Sequence, residues 1–115
     1  MDDSGKQITR YRQEALLHGQ ATATGDYRAG NQHHNQLAKV YSKLKSSGTA
    51  AVALLGSLLQ DEDDSVACWA ATHLLPYQEP QAIATLTRVD AASGIVGFTA
   101  AITLQEWQAG RLKLD

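Results

Sequence analysis

Val66-Ala67-Cys68-Trp69-Ala70-Ala71-Thr72-His73-Leu74 and Val96-Gly97-Phe98-Thr99-Ala100-Ala101-Ile102-Thr103-Leu104 are two versions of one phrase. Val66, Ala70, Ala71 and Leu74 fall on Val96, Ala100, Ala101 and Leu104. The offset of about 30 residues lies in the range of stacked repeats. Upstream, Val52, Leu55 and Leu58 fall on Ile83, Leu86 and Val89, with the register one residue longer. Each copy is an apolar stripe, a break and a second apolar stripe, which predicts a pair of antiparallel helices, twice. A helix pair with one apolar stripe per helix cannot bury itself alone and stacks on a neighbour. The Ala-Ala pairs let helix backbones approach at the short end of the usual range of roughly 8–10 Å.

Working outward, the break in the first copy is Gln60-Asp61-Glu62-Asp63-Asp64-Ser65. Asp63 or Asp64 is placed to cap the second helix, and an acidic first turn suits the helix dipole. In the second copy Asp90-Ala91-Ala92-Ser93-Gly94 does the same work, with Ser93 as the cap. The repeats therefore predict helices over about 50–59, 64–75, 80–89 and 94–109. Pro76-Tyr77-Gln78-Glu79-Pro80 joins the copies, and Pro80 suits a first helical position. Gly110 closes the last helix ahead of a short tail.

Two further helices precede the repeats. Residues 1–4 are expected to fray. From about Gly5, Ile8, Tyr11, Ala15 and Leu16 share one face. Gly19 weakens this helix without ending it. Thr24-Gly25-Asp26 makes a turn, with Asp26 capping a helix from Tyr27 to Ser46. Leu37, Val40, Tyr41 and Leu44 form its apolar stripe; carried backwards, the stripe reaches His34, Asn31 and Tyr27. These three polar groups on a core-facing line are expected to form a buried hydrogen-bonded network that sets helix register. Ser46-Ser47-Gly48 closes the helix and Thr49 caps the next.

The composition agrees. At 115 residues and net charge −2, the chain is one domain, residues 1–115, with no general basic face for nucleic acid. Its one cysteine, Cys68, excludes an internal disulfide framework and sits in a repeat helix as a small hydrophobe. No apolar run approaches the ~20 residues of a membrane span. The polar start, Met1-Asp2-Asp3-Ser4-Gly5-Lys6, does not read as a signal peptide, and a cytoplasmic protein is expected.

Little in the sequence points to chemistry. His18, His33, His34 and His73 include no His-x-x-x-His pair, and His33 and His34 point about 100° apart on a helix. No metal or other cofactor is expected. There is no phosphate loop, no nucleophile elbow and no paired carboxylates. Two features remain. The acidic corner Asp61, Glu62, Asp63 and Asp64 exceeds what capping needs and would steer a basic partner. Trp69, Tyr77 and Trp107 are packing residues if buried and binding anchors if partly exposed.

The first repeat, Leu-Leu-x-Asp-x-Asp-x-x-Val-x-x-x-Ala-Ala-x-x-Leu, resembles a HEAT repeat. A wider set of residues resembles a family of small bacterial all-helical, HEAT-like proteins classified as a domain of unknown function. These are Gly25-Asp26-Tyr27-x-x-x-Asn31, Leu37-x-x-x-Tyr41-x-x-Leu44, Val66-x-x-Trp69-Ala70-Ala71-Thr72, Gly97-Phe98-Thr99-Ala100 and Leu104-x-Glu106-Trp107. The resemblance covers roughly residues 5–110. Ala67 stands where that family often has arginine, which would leave the acidic corner less neutralised. Similar proteins occur beside secreted polymorphic toxins and resemble their immunity proteins. The reading is an all-α fold of six helices in three antiparallel pairs, stacked in a short right-handed arc. Its function would be to bind and neutralise a cognate, basic toxin domain such as a nuclease, without catalysis. The alternatives are a helical scaffold that binds a cellular protein or itself as a homodimer, and an enzyme built on Tyr27, Asn31 and His34.

Overall fold

The computed structural model describes residues 4–92 and 94–113. Among them the chain forms α1 (Ser4–Thr24), α2 (Tyr27–Ser46), α3 (Thr49–Ala53), α4 (Asp64–Leu74), α5 (Glu79–Asp90) and α6 (Ile95–Gln108), with no strand. A 3-10 turn, Leu54–Leu58, continues α3. The all-helical fold read from the repeats is the one adopted, and its helices pack in contacting pairs. α1 lies against α2, α5 lies between α4 and α6, and α4 also packs on α1.

The helix ends follow from local chemistry. Asp26 begins α2 by accepting from the Ala29 amide at 3.1 Å, and Asp63 begins α4 by accepting from the Val66 amide at 3.0 Å. These bonds satisfy amides that have no partner within the helix. Gly110 closes α6 at φ 74°, where its amide returns to Trp107 O at 3.0 Å and the Arg111 amide to Glu106 O at 2.8 Å. A left-handed residue there costs glycine little.

Several boundaries differ from the sequence reading. Ser4 is not frayed: it opens α1 and is buried. Thr49 is the first residue inside α3 rather than its cap, because the Ala51 and Val52 amides return to the Gly48 carbonyl. Pro80 follows Glu79 in the first turn of α5. Ser93, expected to cap α6, lies outside the described residues, as do residues 1–3; the residue preceding the helix is Gly94. The helix expected over 50–59 tightens to 3-10 after Ala53. Leu55 and Leu58 are both buried, and a three-residue turn brings residues three apart onto one side.

The two repeat copies are not equally buried. Val66, Ala70, Ala71 and Leu74 have no solvent exposure, and Ala100 matches them. Val96, Ala101 and Leu104 are only half-buried. α4 has neighbours on several sides, whereas α6 lies at an edge.

The expected buried network of Tyr27, Asn31 and His34 does not exist. All three are exposed, Tyr27 at 84%. The backward extension stepped by three residues twice, and each such step turns about 60° away from the starting direction at 100° per residue. The inward line runs instead through Leu37, half-buried His33 and buried Gly30, which lies against Ala21 of α1.

Gly19 owes its place to packing. A Cβ built there would overlap the Cβ and Oγ of Ser65, where α1 crosses the start of α4. In an isolated helix, alanine for glycine stabilises by about 1 kcal/mol. Here the sign reverses. Gly19→Ala is expected to destabilise by about 1–3 kcal/mol, as overpacking does. Adding Ser65→Gly should recover much of the loss, and Gly5→Ala, with nothing near its added methyl, should cost nothing. Urea denaturation of the four proteins checks this.

Candidate functional site

A groove of about 930 Å³ opens between α1, α2, α4 and α6. Helical spacing builds its walls. From α2 come His34, Ala38, Tyr41 and Lys45, at steps of four, three and four residues on one face. From α4 come Ser65, Cys68, Trp69, Thr72 and His73; from α6 come Ile95, Val96, Thr99 and Thr103. His18, Gly19 and Thr22 of α1 and Leu112 and Lys113 of the tail also line it.

The wall is a run of rings in contact, one pair stacked and the others tilted or edge-on. His73 lies flat on Tyr41, with centroids 3.9 Å apart and planes 10° from parallel. Its Nδ1 is 2.6 Å from the hydroxyl of Tyr11, which has no solvent exposure. Burial raises the Tyr11 pKa well above the usual phenol value. The phenol therefore keeps its proton and donates to Nδ1, leaving the imidazole proton on Nε2. Burial also pushes the His73 imidazole down to about 3, so it is neutral at pH 7. Trp69 sits at the centre of the run, 5.6 Å from His73, 5.3 Å from His18 and 5.6 Å from His34, centroid to centroid. Its indole N–H donates to His18 Nδ1 at 3.3 Å. Indole is a donor only, so His18 Nδ1 must be unprotonated. Burial, with the neighbouring His34 second, lowers the His18 pKa in the same direction.

Two of these groups, His73 and Cys68, are poorly matched to acid–base work near neutral pH. A general acid or base works best with a pKa near the working pH. His73 is far below it, and burial pushes the Cys68 thiol up to about 11. Among the described residues no three His, Cys, Asp or Glu side chains cluster as metal ligands. The groove can hold a ligand by shape, ring contact and charge.

The residues singled out in the sequence are spread over the molecule. The acidic corner is largely engaged within the chain. Arg12 of α1 grips Asp61 with two hydrogen bonds, at 2.7 and 3.2 Å, and that contact holds the Asp61 carboxyl below its usual range. Asp61 also accepts from the Asp63 amide, Asp63 caps α4, and Arg88 of α5 approaches Asp64 at 3.9 Å. The charge that Ala67 does not supply comes from Arg12 and Arg88, distant in sequence. Glu62 is exposed. The four acids are therefore not a free rim. Trp107 is half-buried, and its indole donates to Glu79 at 2.7 Å, tying the end of α6 to the start of α5. Tyr77 is exposed in the connector. Of the three aromatics, Trp69 alone lines the groove. His34 reaches the same wall from its exposed position.

Two features were not read from the sequence. His18 and His34 converge on Trp69 from α1 and α2, which no local spacing reveals, whereas His73 lies four residues on along α4 itself. α6 exposes a row of large apolar side chains, Ile95 at 53%, Phe98 at 67% and Ile102 at 41%. Their spacing of three and four residues was visible, but it matches the spacing of a buried stripe.

No family model matches the chain, and no curated protein matches it. Among solved structures, the crystal structure of the protein RPA1889 from Rhodopseudomonas palustris CGA009 matches with a TM-score of 0.89 and 16% sequence identity. The match covers 100% of this chain and 99% of that one. At this identity the likeness concerns the fold.

The neutral His73 makes stability depend on pH. Its folded pKa, about 3, lies below the unfolded value of 6.5, so the unfolded chain binds the extra proton between them. Its contribution is complete above pH 6.5 and is lost as pH falls toward 3. The slope approaches about 1.4 kcal/mol per pH unit. His18 acts in the same direction. Urea midpoints should fall between pH 6.5 and 5, above the range where carboxylates titrate, and His73→Gln should flatten most of that slope.

Proposed function

We propose that this chain is a non-catalytic binding protein, and specifically an immunity protein that covers and neutralises a toxin domain. The observation that supports this reading is the row Ile95, Phe98 and Ile102 on α6. Three large apolar side chains left in water on one helix face favour a surface that is covered in use. A central aromatic such as Phe98, once enclosed, is the kind of group that carries binding energy. The partner's contact then centres on α6, on the edge of the fold, and not on the acidic corner, whose charges are occupied within the chain. Exposed Glu62 is left to steer a basic partner from a distance.

A second reading, a scaffold that binds a cellular protein or a second copy of itself, rests on the same row, since an apolar helix face is self-complementary in a two-fold dimer. The experiment is co-expression with the product of the adjacent gene. The immunity reading expects growth rescue and a complex that survives purification. Phe98→Glu should weaken that complex more than about tenfold and abolish rescue while leaving helicity intact. A non-toxic neighbour, no complex and a dimer in sedimentation that Phe98→Glu dissociates would move the assignment to the scaffold.

A further inference from the structure

The groove differs from the α6 row in enclosure, ring content and charge. Its volume of about 930 Å³ lies at the upper end of the roughly 300–1,000 Å³ typical of small-ligand clefts. Its ring wall is held in place before any ligand arrives. Tyr11 holds His73, Tyr41 stacks on His73, and Trp69 is pinned to His18. A planar ring entering it would meet Trp69 and the imidazoles at their faces and edges, the arrangements aromatic pairs prefer.

The charge of the lining is one-sided. The chain has twelve acidic and ten basic residues, but the groove is lined by Lys45 and Lys113 and, among the described residues, by no carboxylate. Lys45 lies over the Tyr41 ring, 5.3 Å from its centroid. An aromatic wall alone would also suit a quaternary ammonium group. Two lysines, with no carboxylate among the described lining residues, repel such a cation and attract an anion.

We propose that the groove is a binding site for a small planar aromatic acid, its ring against Trp69 and the imidazoles and its carboxylate drawn to Lys45 and Lys113. This site shares Ile95 with the α6 row, but not Phe98 or Ile102, and does not depend on the immunity reading.

Matched probes of one shape and opposite charge test the assignment. The free chain is titrated with 1-naphthoate and with 1-naphthylmethylammonium by calorimetry and by NMR of the indole N–H signals, which Trp107→Phe assigns. Naphthoate should bind at least about tenfold more tightly than the cation, weaken as salt is raised, and shift the Trp69 signal alone. The double variant Lys45→Glu/Lys113→Glu changes two exposed side chains and should reverse the preference. Equal binding of the two probes would overturn the assignment. So would an unchanged preference in the double variant, a shift confined to Trp107, or no binding of naphthoate at low-millimolar concentration. Failure of the neighbouring gene product to form a complex would not bear on it, since the titration uses the free chain.

Discussion

The fold depends on how closely other helices approach α4. Eight of its eleven residues are buried, and none is fully exposed. Ala67, Ala70 and Ala71 have no solvent contact, and α1, α5, α6 and the 3-10 turn all pack against this helix. An alanine side keeps the backbone-to-backbone distance short, so larger neighbours such as Tyr11, Leu55 and Leu86 fill the space between elements. A larger residue at any of the three positions would push a whole helix outward. Gly19 meets the same constraint from α1, where even a methyl group would strike Ser65.

The groove is a consequence of that packing. Where α4 carries alanine, its neighbours close in; where it carries Trp69, Thr72 and His73, α2 and α6 stand apart and leave space. The rings that line this space are stabilised by one another. Tyr11 satisfies the buried imidazole of His73, and His18 satisfies the indole of Trp69. Burial is the main cause that lowers the pKa of both imidazoles, and the lysines of the lining are Lys45 and Lys113. The acidic residues are spent on structure elsewhere: Asp26 and Asp63 cap helices, Asp61 fastens α4 to α1 through Arg12, and Glu79 fastens α6 to α5 through Trp107.

Local patterns in the chain were sufficient for the helices and most of their ends. The stripe Leu37, Val40, Tyr41 and Leu44 is buried as its spacing requires, and Asp26, Asp63 and Gly110 act where their chemistry acts in any helix. Such features rest on bonds and periodicities spanning a few residues, so neighbours in sequence contain them. The error at Tyr27, Asn31 and His34 came from carrying a periodicity past the residues that supported it, where two successive three-residue steps turn the line into solvent.

Tertiary structure settled the rest, because those features join residues far apart in the chain. The repeat alignment cannot distinguish α4, enclosed by its neighbours, from α6, left at the edge with Phe98 in water. The acidic corner looks unbalanced in sequence, yet Arg12 reaches Asp61 across 49 positions. His18 meets Trp69 across 51 positions, and Tyr11 meets His73 across 62. Helix periodicity shows which way a side chain points along its own axis. What it meets there is set by the packing of other helices, and the groove is made of such meetings.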